Sequence, residues 1–252
     1  MPNASRWARE ACDALIAVLV APACAACRRP LAAPTRGPVC DDCWRNIPPL
    51  IPPCCATCGD ALASWRVLGT TEGRCARCRR RRNAVSCTRA LGTYDGTLRA
   101  IVHALKYDGR RSLATRLSAM MSTAGAAVLE GADFVVPVPL HRARRWSRGF
   151  NQAADLARGL GVPLSEALRR TRNTGSQADL PAGRRHANVR GAFRLARKAR
   201  VRGACVVLVD DVSTTGATLD ACARTLLEGG AREVRALIAA RAVSRARRAP
   251  PP

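Results

Sequence analysis

The chain has 252 residues, 48% of them hydrophobic and only 4% aromatic. Such length and apolar content exclude a disordered polypeptide and leave one large domain or two modest ones, with a core of Ala, Val and Leu. The formal charge of +24 favours anionic partners such as phosphates, nucleic acid or an anionic surface; yet all basic residues except Lys106 and Lys198 are Arg, which a GC-rich coding bias also gives, so local Arg placement is the better guide.

Residues 14–21, ALIAVLVA, are too short to span a bilayer. They fit a signal-peptide core followed by a cleavage site in APACAAC, or a short amphipathic helix packed on the body. Glu10 and Asp13 stand where a signal peptide carries positive charge, which favours the helix. With no membrane span and no other export signal, the expected location is cytoplasmic.

Thirteen cysteines in a reducing compartment point to metal rather than disulfides. Cys24-x2-Cys27 is followed by Cys40-x2-Cys43, and Cys55-x2-Cys58 by Cys75-x2-Cys78. Each CxxC turn aims two thiolates at one point, and two turns complete a tetrahedron with Zn–S distances of about 2.3 Å, a closed structural site. One or two zinc ions are expected. Sequential pairing competes with a cross-brace joining 24/27 to 55/58, and Cys54 is an alternative to Cys55. The stretch IPPLIPPC reads as a stiff linker and favours sequential pairing. Cys205 and Cys222 look like small core residues, and Cys12 and Cys87 lack a partner pattern. The RRRR run at 79–82 is a solvated linker or a nucleic-acid contact.

Composition changes near residue 88, which predicts a Cys-rich zinc-binding module over 1–88, a second domain over 89–245 and a disordered tail over 246–252. In the second domain, strands are expected at 90–94, 133–140, 204–211 and 233–241, with a short strand start at GVPL, 161–164. Helices are expected at 96–107, 111–129, 150–160 and 217–229, the last ended by Gly229-Gly230, and a polar loop at 170–191. The alternation implies an α/β fold, a mainly parallel sheet flanked by helices and preceded by a small zinc-ribbon-like module.

In such sheets ligands bind beyond the carboxyl ends of strands. Residues 206–219, VVLVDDVSTTGATL, have that strand–loop–helix design. The helix N-terminus offers free N–H groups to a phosphate, Ser213, Thr214, Thr215 and Thr218 add hydroxyls, and Gly216 permits close backbone approach. Two carboxylates beside a phosphate cup need another partner: vicinal ribose hydroxyls, or a bridging Mg²⁺. Past PVPL, the arginines 142, 144, 145 and 148 match phosphate oxygens in fork geometry, or form a basic surface loop.

The 206–219 segment resembles the phosphoribosyl-pyrophosphate (PRPP) signature of type I phosphoribosyltransferases. The resemblance implies that Asp210 and Asp211 hold the ribose hydroxyls, and that Ser213, Thr214, Thr215, Gly216, Ala217 and Thr218 hold the 5-phosphate. LKYDG at 105–109, PVPLHRARRWSRGFNQA at 137–153 and TGSQADLPAGRRHANVRGAF at 174–193 resemble the ComF family of competence-linked proteins, which pairs an N-terminal cysteine zinc module with a phosphoribosyltransferase-like domain. That likeness covers nearly the whole chain. It implies a flexible loop over the reacting centre carrying Thr174, Gln177, Arg185 and Asn188; read from the residues themselves, Arg142, Arg145 and Arg148, with Gly149 and Asn151 at the next helix start, are expected to receive pyrophosphate. The resemblance further implies Mg²⁺ with PRPP, an unidentified acceptor, a link to DNA uptake in natural transformation, and possible contact with other competence proteins. The alternative is a non-catalytic zinc-containing protein that binds single-stranded DNA and keeps the phosphoribosyltransferase fold as a scaffold. Single strands favour stacking aromatics beside basic residues; Trp44, Trp65 and Trp146 are so placed, and equally suit packing of the small zinc units.

Overall fold

The computed structural model describes residues 4–62, 73–173 and 185–242. Trp65, Thr174, Gln177 and the 246–252 tail lie outside the described residues.

The N-terminal part repeats one small design. Each unit begins with a knuckle turn, bridged Ala23 to Pro30 in the first and Cys54 to Ala61 in the second. Each ends on a short helix, α2 (Asp41–Arg45) or α3 (Ala76–Arg80). The third cysteine, Cys40 or Cys75, is that helix's N-cap, so the fourth falls one turn inside it. The first unit buries Leu31, Val39, Trp44 and Ile47 in the main core, with the Arg116 guanidinium 5.0 Å above the Trp44 ring. The proline linker does not stand free. Pro49 bridges to Gly92 and Pro48 accepts from Thr93 N at 3.1 Å, so the linker extends the sheet edge. A Cβ on Gly92 would lie 2.3 Å from the Pro48 oxygen, which is why the crossing needs glycine.

Upstream of these units, α1 (Ala4–Val20) is longer than the sequence suggests and is not packed down along its apolar side. Asp13 is buried and accepts from Thr35 N at 2.8 Å, but Leu15, Val18, Leu19 and Val20 are exposed. The apolar stripe meets no complementary surface among the described residues, which corrects the expectation of a helix packed on the body. Among the described residues, no helix is long and apolar enough to cross a membrane.

The second part is built on four parallel strands in the order β1 (Thr88–Thr93), β6 (Glu233–Arg241), β5 (Cys205–Ser213), β2 (Phe134–Pro137). GVPL contributes a single parallel bridge, Leu164 to Val135, beyond β2. On one face pack α4 (Gly96–Tyr107), α5 (Leu113–Ala124) and α8 (Gln152–Arg158), against Val135, Val207, Val209 and Leu237. On the other lie α10 (Ala217–Glu228) and the antiparallel pair β3 (Leu168–Arg170) and β4 (Phe193–Leu195), against Val136, Val206, Leu208 and Ile238. Both faces of β5 are therefore covered, as its unbroken apolar run requires. The expected 111–129 helix breaks at Gly125, where α6 (Ala126–Leu129) begins; glycine is needed at that break because a Cβ there would meet Leu237 Cδ1 at 2.4 Å. Two further short helices, α7 (Arg142–Arg148) and α9 (Arg185–Val189), occupy stretches expected to be loop.

Candidate functional site

Asp210 and Asp211 lie at the carboxyl end of β5, where successive side chains point to opposite faces of the sheet. Asp211 is buried, and its Oδ1 meets Lys106 Nζ of α4 at 2.8 Å. Its Oδ2 is also buried but has no hydrogen-bond partner among the described residues. Asp210 is half-buried and accepts from Asp211 N at 2.9 Å. Burial, and after it the neighbouring Asp211 charge, push the Asp210 carboxyl up to about 8, against the opposing pull of Lys106 and Arg170. For Lys106, burial works against the ammonium, but contact with Asp211 outweighs it and its pKa is raised.

The chain then turns through Ser213, Thr214 and Thr215 to Gly216, which caps α10 at φ 78°. That left-handed conformation suits glycine alone without strain. Thr215 Oγ1 accepts from Ala217 N at 3.4 Å, Ala217 is buried, and Thr214, Gly216 and Thr218 are half-buried around the helix start. Ser213 differs from its neighbours. It is buried, and its hydroxyl accepts from Arg241 Nη1 at 3.0 Å.

Beside this loop, Val138 N bonds to Val209 O at 2.9 Å, so the PVPL strand end runs next to the acidic pair. His141 caps α7, its Nδ1 accepting from Ala143 N at 3.3 Å, and Gly149 closes that helix in the left-handed region. Arg142, Arg145, Trp146 and Gly149 line an open groove of about 620 Å³, with Trp146 91% exposed. Arg148 instead donates to Gln152 Oε1 at 2.7 Å and lies 5.3 Å over the Tyr107 ring. Asn151 caps α8 and donates to Val138 O at 3.2 Å. The arginines expected to act together are thus split between an open groove and internal bonding. Arg185 opens α9, and Asn188 in the same helix buries an amide nitrogen without a partner among the described residues.

The cysteines form two groups, Cys24/Cys27/Cys40/Cys43 and Cys55/Cys58/Cys75/Cys78, each with its sulfurs within 4.8 Å of one another. Sequential pairing holds and the cross-brace does not. Cys54 stands outside, its thiol donating to Ile51 O at 3.6 Å. Sulfur separations are 3.8 Å for Cys24–Cys43 and Cys27–Cys40, and 3.7 Å for Cys58–Cys75. Four thiolates about 2.3 Å from one ion lie about 3.8 Å apart, so both groups fit tetrahedral zinc. Burial opposes ionisation of Cys24, but the N–H groups of Cys27, Cys40 and Ala26 bring its thiol down to about 6, in the sense a metal ligand needs.

Residues the sequence did not mark also converge here. Arg241 closes β6 fully buried, with Nε 2.6 Å from Asp60 Oδ1 in the second cysteine unit. An arginine ending an apolar strand was the sole trace of this contact.

Residues 15–79 match the double zinc ribbon domain family, and residues 146–250 match the phosphoribosyl transferase domain family. The chain is 35% identical to the DNA utilization protein YhgH of Escherichia coli K12, covering 84% of this chain and 93% of that one. It is 30% identical to competence protein F of Haemophilus influenzae, over 87% of this chain and 96% of that one. It is 31% identical to the competence protein ComFC of Bacillus subtilis, over 56% of this chain and 58% of that one. A double zinc ribbon joined to a type I phosphoribosyltransferase-like sheet defines the class of protein. The chain belongs to the ComF family.

Proposed function

We propose that this protein binds PRPP with Mg²⁺ and transfers the phosphoribosyl group to an acceptor in the service of DNA use. The observation that carries the reading is Asp211: a buried carboxylate with one oxygen on Lys106 and the other without a partner among the described residues, at a strand end that feeds a glycine-capped helix. Asp210 and Asp211 accept from the ribose 2- and 3-hydroxyls. Thr214, Thr215, Gly216, Ala217 and Thr218 surround the 5-phosphate at the start of α10, where free N–H groups and the helix dipole favour an anion. Ser213 supports the loop from beneath. Arg142, Arg145 and the amide of Gly149 take the pyrophosphate, which leaves as an acceptor attacks the ribose C1. Arg148 and Asn151 shape the turn between α7 and α8. Asn188 and Arg185 serve the covering loop that shields the reacting centre from water. Bound Mg²⁺ would neutralise pyrophosphate oxygens; the chain's own part is positioning and stabilisation of developing charge. The DNA connection is supported by the names of the relatives from E. coli and H. influenzae and by the +24 charge.

One feature favours a second reading, a non-catalytic single-strand-binding protein. Trp146 stands almost fully exposed between the arginines of α7, as a stacking platform in a basic groove would. Calorimetric titration with PRPP and Mg²⁺ separates the two. Wild type binds and the Asp210→Asn/Asp211→Asn variant does not, if the site works as proposed. Absence of binding by wild type, with retained affinity for an oligonucleotide, would establish the second reading.

A further inference from the structure

Asp60 lies between the cysteines of the second ribbon, and it bonds in two directions. Its Oδ2 accepts from Arg77 Nη2 at 2.8 Å, and the same Arg77 nitrogen lies 3.6 Å from Cys58 Sγ. Its Oδ1 accepts from Arg241 Nε at 2.6 Å, and Arg241 Nη1 reaches Ser213 Oγ at 3.0 Å. The result is one connected path, Cys58–Arg77–Asp60–Arg241–Ser213, from a candidate zinc ligand to the first residue of the phosphate loop. Around it, Thr57, Cys58, Arg77, Thr215, Gly216 and Arg241 line a cleft of about 20 Å³. Ribbon and loop meet across this narrow cleft, and Arg241 reaches the loop through Ser213. A buried guanidinium held by one carboxylate has no cheap alternative arrangement, which makes the path stiff.

We infer that the second zinc ribbon positions the phosphate loop through Asp60 and Arg241, so that this loop keeps its binding geometry only while that ribbon is folded. Asp60 and Arg241 are positioning residues. Among the described residues the first ribbon has no such link to the loop; it packs under α5 through Trp44 and Arg116. The effect on ligand affinity rests on the ribose-phosphate reading above, whereas the effect on the loop does not.

The test uses full-length protein carrying Asp60→Asn, with Arg241→Lys as a second variant because lysine keeps the charge but cannot span both partners. Asp42→Asn, an exposed change in the first ribbon, is the control. Three quantities are read: zinc by elemental analysis, amide hydrogen exchange over 213–218, and affinity for PRPP with Mg²⁺. The expected result is unchanged zinc content, faster exchange over 213–218 and binding about tenfold weaker in both variants, with the control like wild type. Exchange like wild type in both variants would overturn the inference, whatever the affinity. Faster exchange in both variants, with no PRPP binding by wild type, would uphold the coupling and sink the ribose-phosphate reading. Zinc loss from Asp60→Asn leaves Arg241→Lys to decide.

Discussion

Lys106 and Asp211 form an ion pair of 2.8 Å in which the side chains are only 16% and 4% exposed. Such a pair is worth little against an apolar replacement but is costly to break from one side. Lys106→Ala therefore destabilises the protein by about 3 kcal/mol, because the Asp211 charge stays buried alone. Combining Lys106→Met with Asp211→Asn restores most of that loss while leaving PRPP binding abolished. Urea denaturation of the single and double variants checks this, and equal stability of both would contradict it.

Asp210 gives a dependence on pH. Its carboxyl has a folded pKa of about 8, above the ordinary 3.8. A group raised on folding contributes its stability in full below the unfolded pKa and loses it as pH climbs through the folded one. Asp210→Asn thus becomes progressively more stable than wild type between about pH 4 and 8. A pH series of unfolding midpoints that stays parallel for the two proteins would refute it. In wild type, PRPP binding near neutral pH should also release a proton, visible as a dependence of calorimetric heat on buffer.

Gly216 offers a test of the loop that leaves its charges alone. A Cβ there would meet nothing within 4 Å, yet φ is +78°. Gly216→Ala should therefore cost about 1–2 kcal/mol purely through backbone conformation, and weaken PRPP binding by shifting the helix start. A stability equal to wild type would show that the loop adopts another conformation in solution.

Trp146 and its flanking arginines separate charge from stacking. Trp146→Ala should leave stability unchanged and lower single-strand affinity by about 1–3 kcal/mol at every salt concentration. Arg142→Ala/Arg145→Ala should instead flatten the salt dependence of binding. Oligonucleotide titrations at several ionic strengths distinguish them; no effect of Trp146→Ala would remove the groove from nucleic-acid binding.

Elements with a clear period or an uninterrupted apolar run were legible in the sequence: α4 at 96–107 and β6 at 233–241 fall where expected. The cysteine spacing gave the two ligand groups. The antiparallel pair β3–β4 was not legible, since strands of three residues carry no period. Helix α7 was hidden by its arginines, although the Gly149 that ends it was in view. The Asp60–Arg241 contact spans 181 positions, and no local pattern announces it. Sequence marks what a strand end can bind, whereas the groups that brace it from another unit emerge only from packing.

The near-absence of lysine has a practical consequence. The chain contains two side-chain amines, Lys106 and Lys198. One is enclosed against Asp211, and the other is exposed. An amine-reactive reagent therefore meets a molecule with one ready side-chain target and one concealed at the acidic strand end. Modification of Lys106 reports when that pair opens, giving the site a built-in chemical clock.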